Sequence, residues 1–172
     1  MPSSRRTGGQ GPGTLATLVL GVIVVACGTP VAATPSGEST ALSGPARGTV
    51  TLTEDGCGYD GPAEAAAGPM VIAMVNATNG QFDLDLWRMD DGHSYDELVA
   101  HIAEEMRRQE AGEPPLGHPA FAELVGEATA EASAEAELQV ALEPGAYGIA
   151  CNFFPAPEVF GAIFAAGSFI AS

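Results

Sequence analysis

The stretch Leu142-Glu143-Pro144-Gly145-Ala146-Tyr147-Gly148-Ile149-Ala150-Cys151 decides the fold class of this chain. Its Glu-Pro-Gly piece is a turn sequence, because proline presets φ and glycine adopts backbone angles that other residues resist. After the turn, Tyr147, Ile149 and Cys151 alternate with small residues, the period-two pattern of a strand with one buried face. Residues 136–142 alternate in the same way. The stretch therefore predicts two β-strands joined by a tight turn.

Four further segments have the pattern of strands and are bounded by turn sequences rich in glycine, proline, asparagine and aspartate. Most alternate, whereas residues 70–75 are apolar throughout, as in a central strand. Six short strands with turns between them predict an all-β protein, a small antiparallel β-sandwich. The four segments are residues 49–53, 70–75, 82–87 and 164–171.

One segment has helical periodicity instead. Residues 94–97, Ser-Tyr-Asp-Glu, form a capping-box sequence, and Gly112 ends the segment. Residues 120–137 are rich in alanine and glutamate, a composition compatible with either a second helical piece or an exposed connection. The predicted helix has one buried stripe, formed by Tyr95, Leu98, Val99, Ile102 and Met106.

The order of these elements resembles that of the cupredoxin-like family of Greek-key β-sandwiches. Val75-Asn76, before a loop and a strand at Phe82, matches one part of the family pattern. Residues 142–151 match another part, a proline-glycine turn that leads into a Tyr-x-x-x-Cys strand. The resemblance covers most of residues 49–171. It implies a cupredoxin-like Greek-key sandwich with one inserted α-helix.

In that family the strand cysteine is a copper ligand, and two histidines and a weak axial methionine complete the site. Cys151 occupies the position of this cysteine, but Gln81 stands at the first histidine position and no histidine follows His118. Phe164 stands near the axial position. The residues therefore predict no copper and no other cofactor. A metal-handling or electron-transfer cupredoxin with an atypical copper site is the alternative.

The three histidines, His93, His101 and His118, show no metal-specific spacing. We expect ordinary surface histidines and no bound metal. A loose site that includes His93 and His101 is the weaker alternative, because methionines and carboxylates lie near them in sequence.

The amino-terminal residues have the pattern of an export signal. Arg5 and Arg6 precede an uncharged apolar run, residues 15–26, which is shorter than the ~20 residues that span a bilayer as a helix. The run ends in Val24-Val25-Ala26-Cys27, which resembles the bacterial lipobox. This resemblance implies cleavage before Cys27 and a lipid on its thiol, so that membrane lipid becomes a partner of the chain.

The predicted organisation follows from this signal. Residues 28–48 are rich in glycine, proline, serine, threonine and alanine, as in a flexible tether. We therefore expect a protein anchored by lipid at the cell membrane and facing outside the cytoplasm. Its parts are a signal peptide (1–26), a lipid-anchored stalk (27–48) and one folded domain (49–172).

The charge of the chain restricts its partners. It carries 22 acidic residues against six basic ones, a net charge of −16, and contains no lysine. Such a field repels nucleic acid and favours cations or basic partners. We therefore exclude nucleic acid as a partner.

Two cysteines are left once Cys27 carries the lipid. Cys57 and Cys151 would lie in a compartment in which disulfides persist, so we expect a bond between them. The rival interpretation makes one of them a metal ligand.

The sequence contains neither a Gly-x-Ser-x-Gly nucleophile motif nor a phosphate-binding glycine loop. We therefore expect no enzymatic activity, a hydrolase with unpaired carboxylates being the least favoured hypothesis. The first hypothesis is a non-catalytic binding or interaction module for a protein or small-molecule partner. Its candidate partner-binding residues are Trp87, on the polar register of its strand, and the adjacent Phe153 and Phe154.

Overall fold

The structure, a computed structural model, describes residues 45–156 and 159–172. The predicted signal peptide, Cys27 and most of the predicted stalk lie outside these ranges. No helix within them has the length and apolar character needed to cross a membrane. The described residues form the strands β1 (Ala46–Thr53), β2 (Gly56–Asp60), β3 (Glu64–Ala65), β4 (Gly68–Asn76), β5 (Gln81–Met89), β6 (Ala122–Ala130), β7 (Glu135–Leu142), β8 (Gly145–Phe154) and β9 (Ala162–Ala171), and the helix α1 (Tyr95–Glu110).

The strands form two sheets that pack face to face. Sheet A has the order β2-β1-β4-β7, and sheet B has the order β3-β9-β8-β5-β6. Strand alternation directs one row of apolar side chains from each sheet into the space between them. We call this the inner layer; Leu52, Ile72, Leu84 and Ile149 in it have no exposed surface. The predicted fold class, an all-β sandwich with one inserted helix, is confirmed.

Two strand pairings differ from the purely antiparallel sandwich that the sequence predicted. Strand β1 is parallel to β4, and β3 is parallel to β9. After the β1–β2 hairpin the chain crosses to sheet B, where β3 adds to the edge, and then returns to sheet A beside β1. Alternation could not predict this crossover, because a period of two reports burial and not strand direction.

The folded part begins slightly earlier than predicted. Ala46, Arg47 and Gly48 belong to β1 and pair with β4, although they fall in the segment predicted as a flexible stalk. Gly48 is buried against the ring of Tyr59, where a Cβ would clash. The glycine that suggested flexibility here allows a close approach instead.

Residues 120–137, which the sequence left open, contain strand β6 and the start of β7. Strand β6 is an edge strand of sheet B and pairs with β5. Its alanines and glutamates are weak strand formers, so pairing and burial decide its conformation rather than propensity.

Helix α1 begins after Ser94, as predicted, and the Ser94 N–H donates to the Glu97 carboxylate at 2.8 Å. The helix packs on the outer face of sheet B through Leu98 and Ile102. The predicted burial of Val99 is wrong: it is 38% exposed, because it lies one position beyond the face that contacts the sheet. We call this second apolar cluster the outer layer; its buried members are Trp87, Met89, Leu98, Ile102 and Ala150.

The predicted disulfide is present between Cys57 in β2 and Cys151 in β8. Their Cα atoms are 6.4 Å apart, within the range that a disulfide spans. The bond joins an edge strand of sheet A to an interior strand of sheet B, so it fastens the two sheets across the inner layer.

Candidate ligand-binding cavity

A cavity lies on the outer face of sheet B, between the sheet, helix α1 and the loop of residues 117–119. Its volume is about 260 Å³. Ligand pockets usually have volumes of ~300–1,000 Å³, so this one suits a small ligand. Its walls are mostly apolar, and its polar lining residues are Asp85, His101, Glu105, His118 and Asn152.

Strand alternation places two polar side chains on the floor of the cavity. Leu84 in β5 and Cys151 in β8 point into the inner layer, so the next residues, Asp85 and Asn152, point outward beneath α1. The Asn152 amide nitrogen Nδ2 donates to Asp85 Oδ2 at 2.8 Å. The pair is therefore a product of two neighbouring strands and their register.

Burial raises the pKa of Asp85 from its ordinary 3.8 to about 6. The hydrogen bond from Asn152 and the proximity of His118 act in the opposite direction, while the charges of Glu127 and Asp83 add to the increase. Desolvation dominates because an ionised carboxylate loses its hydration among apolar walls. At neutral pH this carboxylate is mostly ionised but poorly solvated.

The loop over the cavity is attached to the helix at two points. The Leu116 N–H donates to Glu105 Oε2 at 2.6 Å, and His101 Nε2 lies 2.8 Å from the Gly117 carbonyl oxygen. Because a carbonyl only accepts, Nε2 of His101 is the protonated nitrogen in this contact. Two turns of α1 thus position the loop at the rim.

The histidines lie on the same side of the molecule as the cavity. His93 stacks on Phe121 with ring centroids 5.2 Å apart, and His101 meets the same ring edge-on at 6.1 Å. His118 packs edge-on against Trp87 at 5.0 Å. Among the described residues, no three histidine, cysteine, aspartate or glutamate side chains converge on a metal-sized site.

The residues that the sequence resemblance aligns with copper ligands are engaged in other contacts in this structure. Cys151 is bonded to Cys57, which removes the thiolate that such a site requires. The Gln81 side chain donates to Asp83 at 2.9 Å. Cys151 also points into the inner layer, whereas His101 and His118 line the cavity on the opposite face of sheet B.

The structure corrects the expected exposure of one candidate partner-binding residue and describes the surroundings of two others. Trp87 is only 5% exposed, because α1 covers the strand face that was predicted to meet solvent. Phe153 is half-buried against the inner layer. Phe154 is half-buried and packs edge-on against Phe160 at 5.7 Å. Trp87 therefore reaches a ligand only through the cavity, and the two phenylalanines lie apart from it.

Sequence reasoning missed Asp85 as a site residue, since an outward aspartate in a strand usually meets water. The signal was its neighbour on the same face, Trp87, together with the amphipathic helix that follows β5 directly. A helix with an apolar stripe must cover an apolar surface, and that surface was the face carrying Trp87 and Asp85.

No protein-family model matches this chain, and no curated protein matches it. Two solved structures similar to it are auracyanin A, a "blue" copper protein from the green thermophilic photosynthetic bacterium Chloroflexus aurantiacus, and auracyanin from the photosynthetic bacterium Roseiflexus castenholzii. The first alignment has 16% identity and a TM-score of 0.43, and covers 75% of this chain and 100% of the other. The second has 16% identity and a TM-score of 0.38, and covers 72% and 94%. Structural similarity at this level gives no information about what this chain binds.

Proposed function

We propose that this protein is a non-catalytic binding module, anchored by lipid on Cys27 outside the cytoplasm, and that it binds a small molecule in the cavity beneath α1. The observation that carries the proposal is the Asp85–Asn152 pair, held in a mostly apolar cavity. Convergent polar groups and a perturbed carboxylate in an apolar pocket are typical of ligand sites.

The composition of the cavity favours binding over catalysis. None of the described lining residues carries a hydroxyl or thiol group, so the cavity offers no serine, threonine or cysteine nucleophile. His101 is engaged with the Gly117 carbonyl and Glu105 with the Leu116 N–H, so both serve to hold the loop. Shape and polarity, rather than a reactive group, are what this cavity presents.

Binding can be tested through Trp87, because it is the only tryptophan in the chain and it lines the cavity. We would titrate the lipid-free domain with a panel of small amines, carboxylates and neutral aromatic compounds. We expect at least one class to change the tryptophan emission saturably. Ala150→Leu, which fills the cavity from β8, should abolish that change while the circular dichroism spectrum stays that of the parent. Binding by no class, or equal binding by Ala150→Leu, would contradict the proposal.

The anchor is tested separately. The lipobox at the end of a short apolar run supports acylation of Cys27. We expect mass spectrometry of the membrane-associated protein from an expressing bacterium to find a diacylglyceryl group on Cys27 as the first residue. Cys27→Ser should release the domain in soluble form. A mature chain that retains unmodified residues upstream of Cys27 would contradict this part of the proposal.

A further inference from the structure

The charges that line the cavity are unbalanced. Asp85 and Glu105 contribute two carboxylates, whereas none of the lining residues is an arginine and the chain contains no lysine. The arginines nearest in sequence to the lining residues are engaged elsewhere: Arg88 pairs with Glu123 and Glu143. Arg107 and Arg108 both pair with Glu104. Within residues 45–156 and 159–172, no permanent cation therefore lines the cavity to neutralise Asp85.

The donors around Asp85 also leave room for a ligand. Asn152 donates to Oδ2, which is one of two carboxylate oxygens, and this amide carries no charge. An ionised carboxylate offers several acceptor positions, so a ligand ammonium can bind beside Asn152 without displacing it. A charge-assisted bond of this kind is stronger than a neutral one.

The remaining walls suit the apolar body of such a ligand. Trp87 supplies an aromatic surface, and Leu98, Ile102 and Ile163 supply aliphatic ones. Aromatic rings attract cations, and tryptophan does so best. An anion would meet two carboxylates and a strongly acidic protein, and the arrangement lacks three converging donors for a metal ion among the described residues.

We infer that the cavity binds small organic cations, with a primary ammonium on Asp85 and an apolar body against Trp87, Leu98 and Ile163. This inference rests on the proposed function, because it names the ligand class of the same cavity. It goes beyond that function in giving Asp85 the recognition role.

The ionisation of Asp85 gives the inference a pH dependence. Ammonium binding requires the carboxylate form, so affinity is expected to fall as pH drops through about 6, the pKa of Asp85. An ammonium group stays protonated throughout this range, so the ligand does not add a transition of its own. The charged and titratable groups around Asp85 are Asp83 in β5, Glu127 in β6, His118 in the loop, and His101 and Glu105 in α1.

Three probes of matched shape test the inference: benzylamine, benzyl alcohol and benzoate. Each is titrated into the lipid-free domain at pH 7.5 and followed by the emission of Trp87. We expect benzylamine to bind most tightly, and Asp85→Asn to weaken it by about tenfold or more, as expected for loss of a charge-assisted bond. The affinity for benzyl alcohol should not change with this substitution. Asp60→Asn, which removes an exposed carboxylate in the edge strand β2, should leave all three affinities unchanged.

The outcomes separate this inference from the proposed function. The cation inference is overturned if Asp85→Asn leaves the affinity for benzylamine unchanged, or if benzoate binds more tightly than benzylamine. If only neutral compounds change the emission, and Ala150→Leu prevents this, the binding function stands and the cation inference fails. If nothing in the wider panel binds, both fail.

Discussion

The inner and outer layers share the strands of sheet B but differ in chemistry. The inner layer is mainly apolar, its few polar groups are hydrogen-bonded (the Tyr147 hydroxyl and, at the end of β4, Asn76 and Thr78), and the Cys57–Cys151 bond crosses it. The outer layer has fewer buried residues, and its edge carries the Asp85–Asn152 pair and His118. Apolar burial without polar groups contributes to stability, whereas a desolvated carboxylate lowers it. Groups that lower stability yet persist in a cavity are typical of functional sites.

This difference makes the two layers separable by experiment. Changes to the inner layer should alter global stability and leave the environment of Trp87 intact in the folded protein. Changes to the outer layer should alter Trp87 and ligand binding with smaller effects on stability. Each prediction below tests this separation.

The largest effect is expected for the disulfide. Removing it with Cys57→Ala and Cys151→Ala frees a loop closed by residues 94 positions apart. In the chain-entropy model, this lowers the free energy of unfolding by about 4–5 kcal/mol. Urea denaturation of the variant and of the parent measures the loss. Emission of Trp87 in the absence of urea should stay that of the parent; a shifted spectrum in a protein that is still folded would show that the two layers are coupled.

A smaller but still large effect is expected at Gly148 in β8, because side chains of α1 and β5 pack directly on this glycine. A Cβ there would lie 2.6 Å from Leu98 Cδ2 and 2.6 Å from Met89 Cε. Gly148→Val should therefore displace α1, lower the free energy of unfolding by about 3 kcal/mol and shift the emission of Trp87.

The matched control for this substitution is Gly58→Val in β2, at an exposed position where a Cβ would meet no atom within 4 Å. Its free energy of unfolding should stay within about 0.5 kcal/mol of the parent. An unchanged Trp87 spectrum in Gly148→Val would contradict the packing of α1 on this glycine.

Asp85→Asn should stabilise the protein at neutral and alkaline pH. Because the pKa of Asp85 is about 6 in the folded state against an ordinary 3.8, the folded state binds the proton more tightly. Stability is therefore lost as pH rises from about 4 through 6. Asparagine cannot ionise, so the free energy of unfolding of the variant should exceed that of the parent by about 3 kcal/mol at pH 8 and equal it below about pH 4. Urea midpoints across this range measure the difference, with Asp60→Asn as the control; a constant difference at all pH values would contradict it.

The fold could be predicted from sequence to the extent that it follows from local pattern. The turn at residues 143–145, the strand to Cys151 and the cap at Ser94 each appear where period or turn chemistry predicts them. Strand β6 and the parallel β1–β4 pairing could not be predicted, because edge pairing and strand direction depend on contacts distant in sequence.

The cavity could be predicted only in part, for a related reason. Its residues come from β5, α1, the 117–119 loop, β8 and β9, and no short motif contains them. Alternation predicts that Asp85 faces away from the inner layer, but only the position of α1 turns that outward face into a cavity floor. Site prediction here required the tertiary position of one helix.

The smallest effect is expected when copper is added, because the thiol and the imidazoles that usually bind it lie in different layers. A blue-copper site needs thiolate and imidazole on one metal ion. Cys151 points into the inner layer, and His101 and His118 lie on the other face of sheet B. Even after reduction of the disulfide, the sheet stands between the thiol and these imidazoles. The purified domain should therefore be colourless and retain no stoichiometric copper.

This prediction can be checked by loading the oxidised and the reduced domain with Cu(II), desalting both, and recording the visible spectrum and metal content. Weak copper uptake without an intense visible band would be uptake by surface imidazoles, and His93→Gln together with His101→Gln should remove it. An intense band with one copper per chain in the reduced sample would require thiolate bonded to Cu(II). Such a band would mean that Cys151 leaves the inner layer or that imidazoles cross the sheet, and the separation of the two layers would then be wrong.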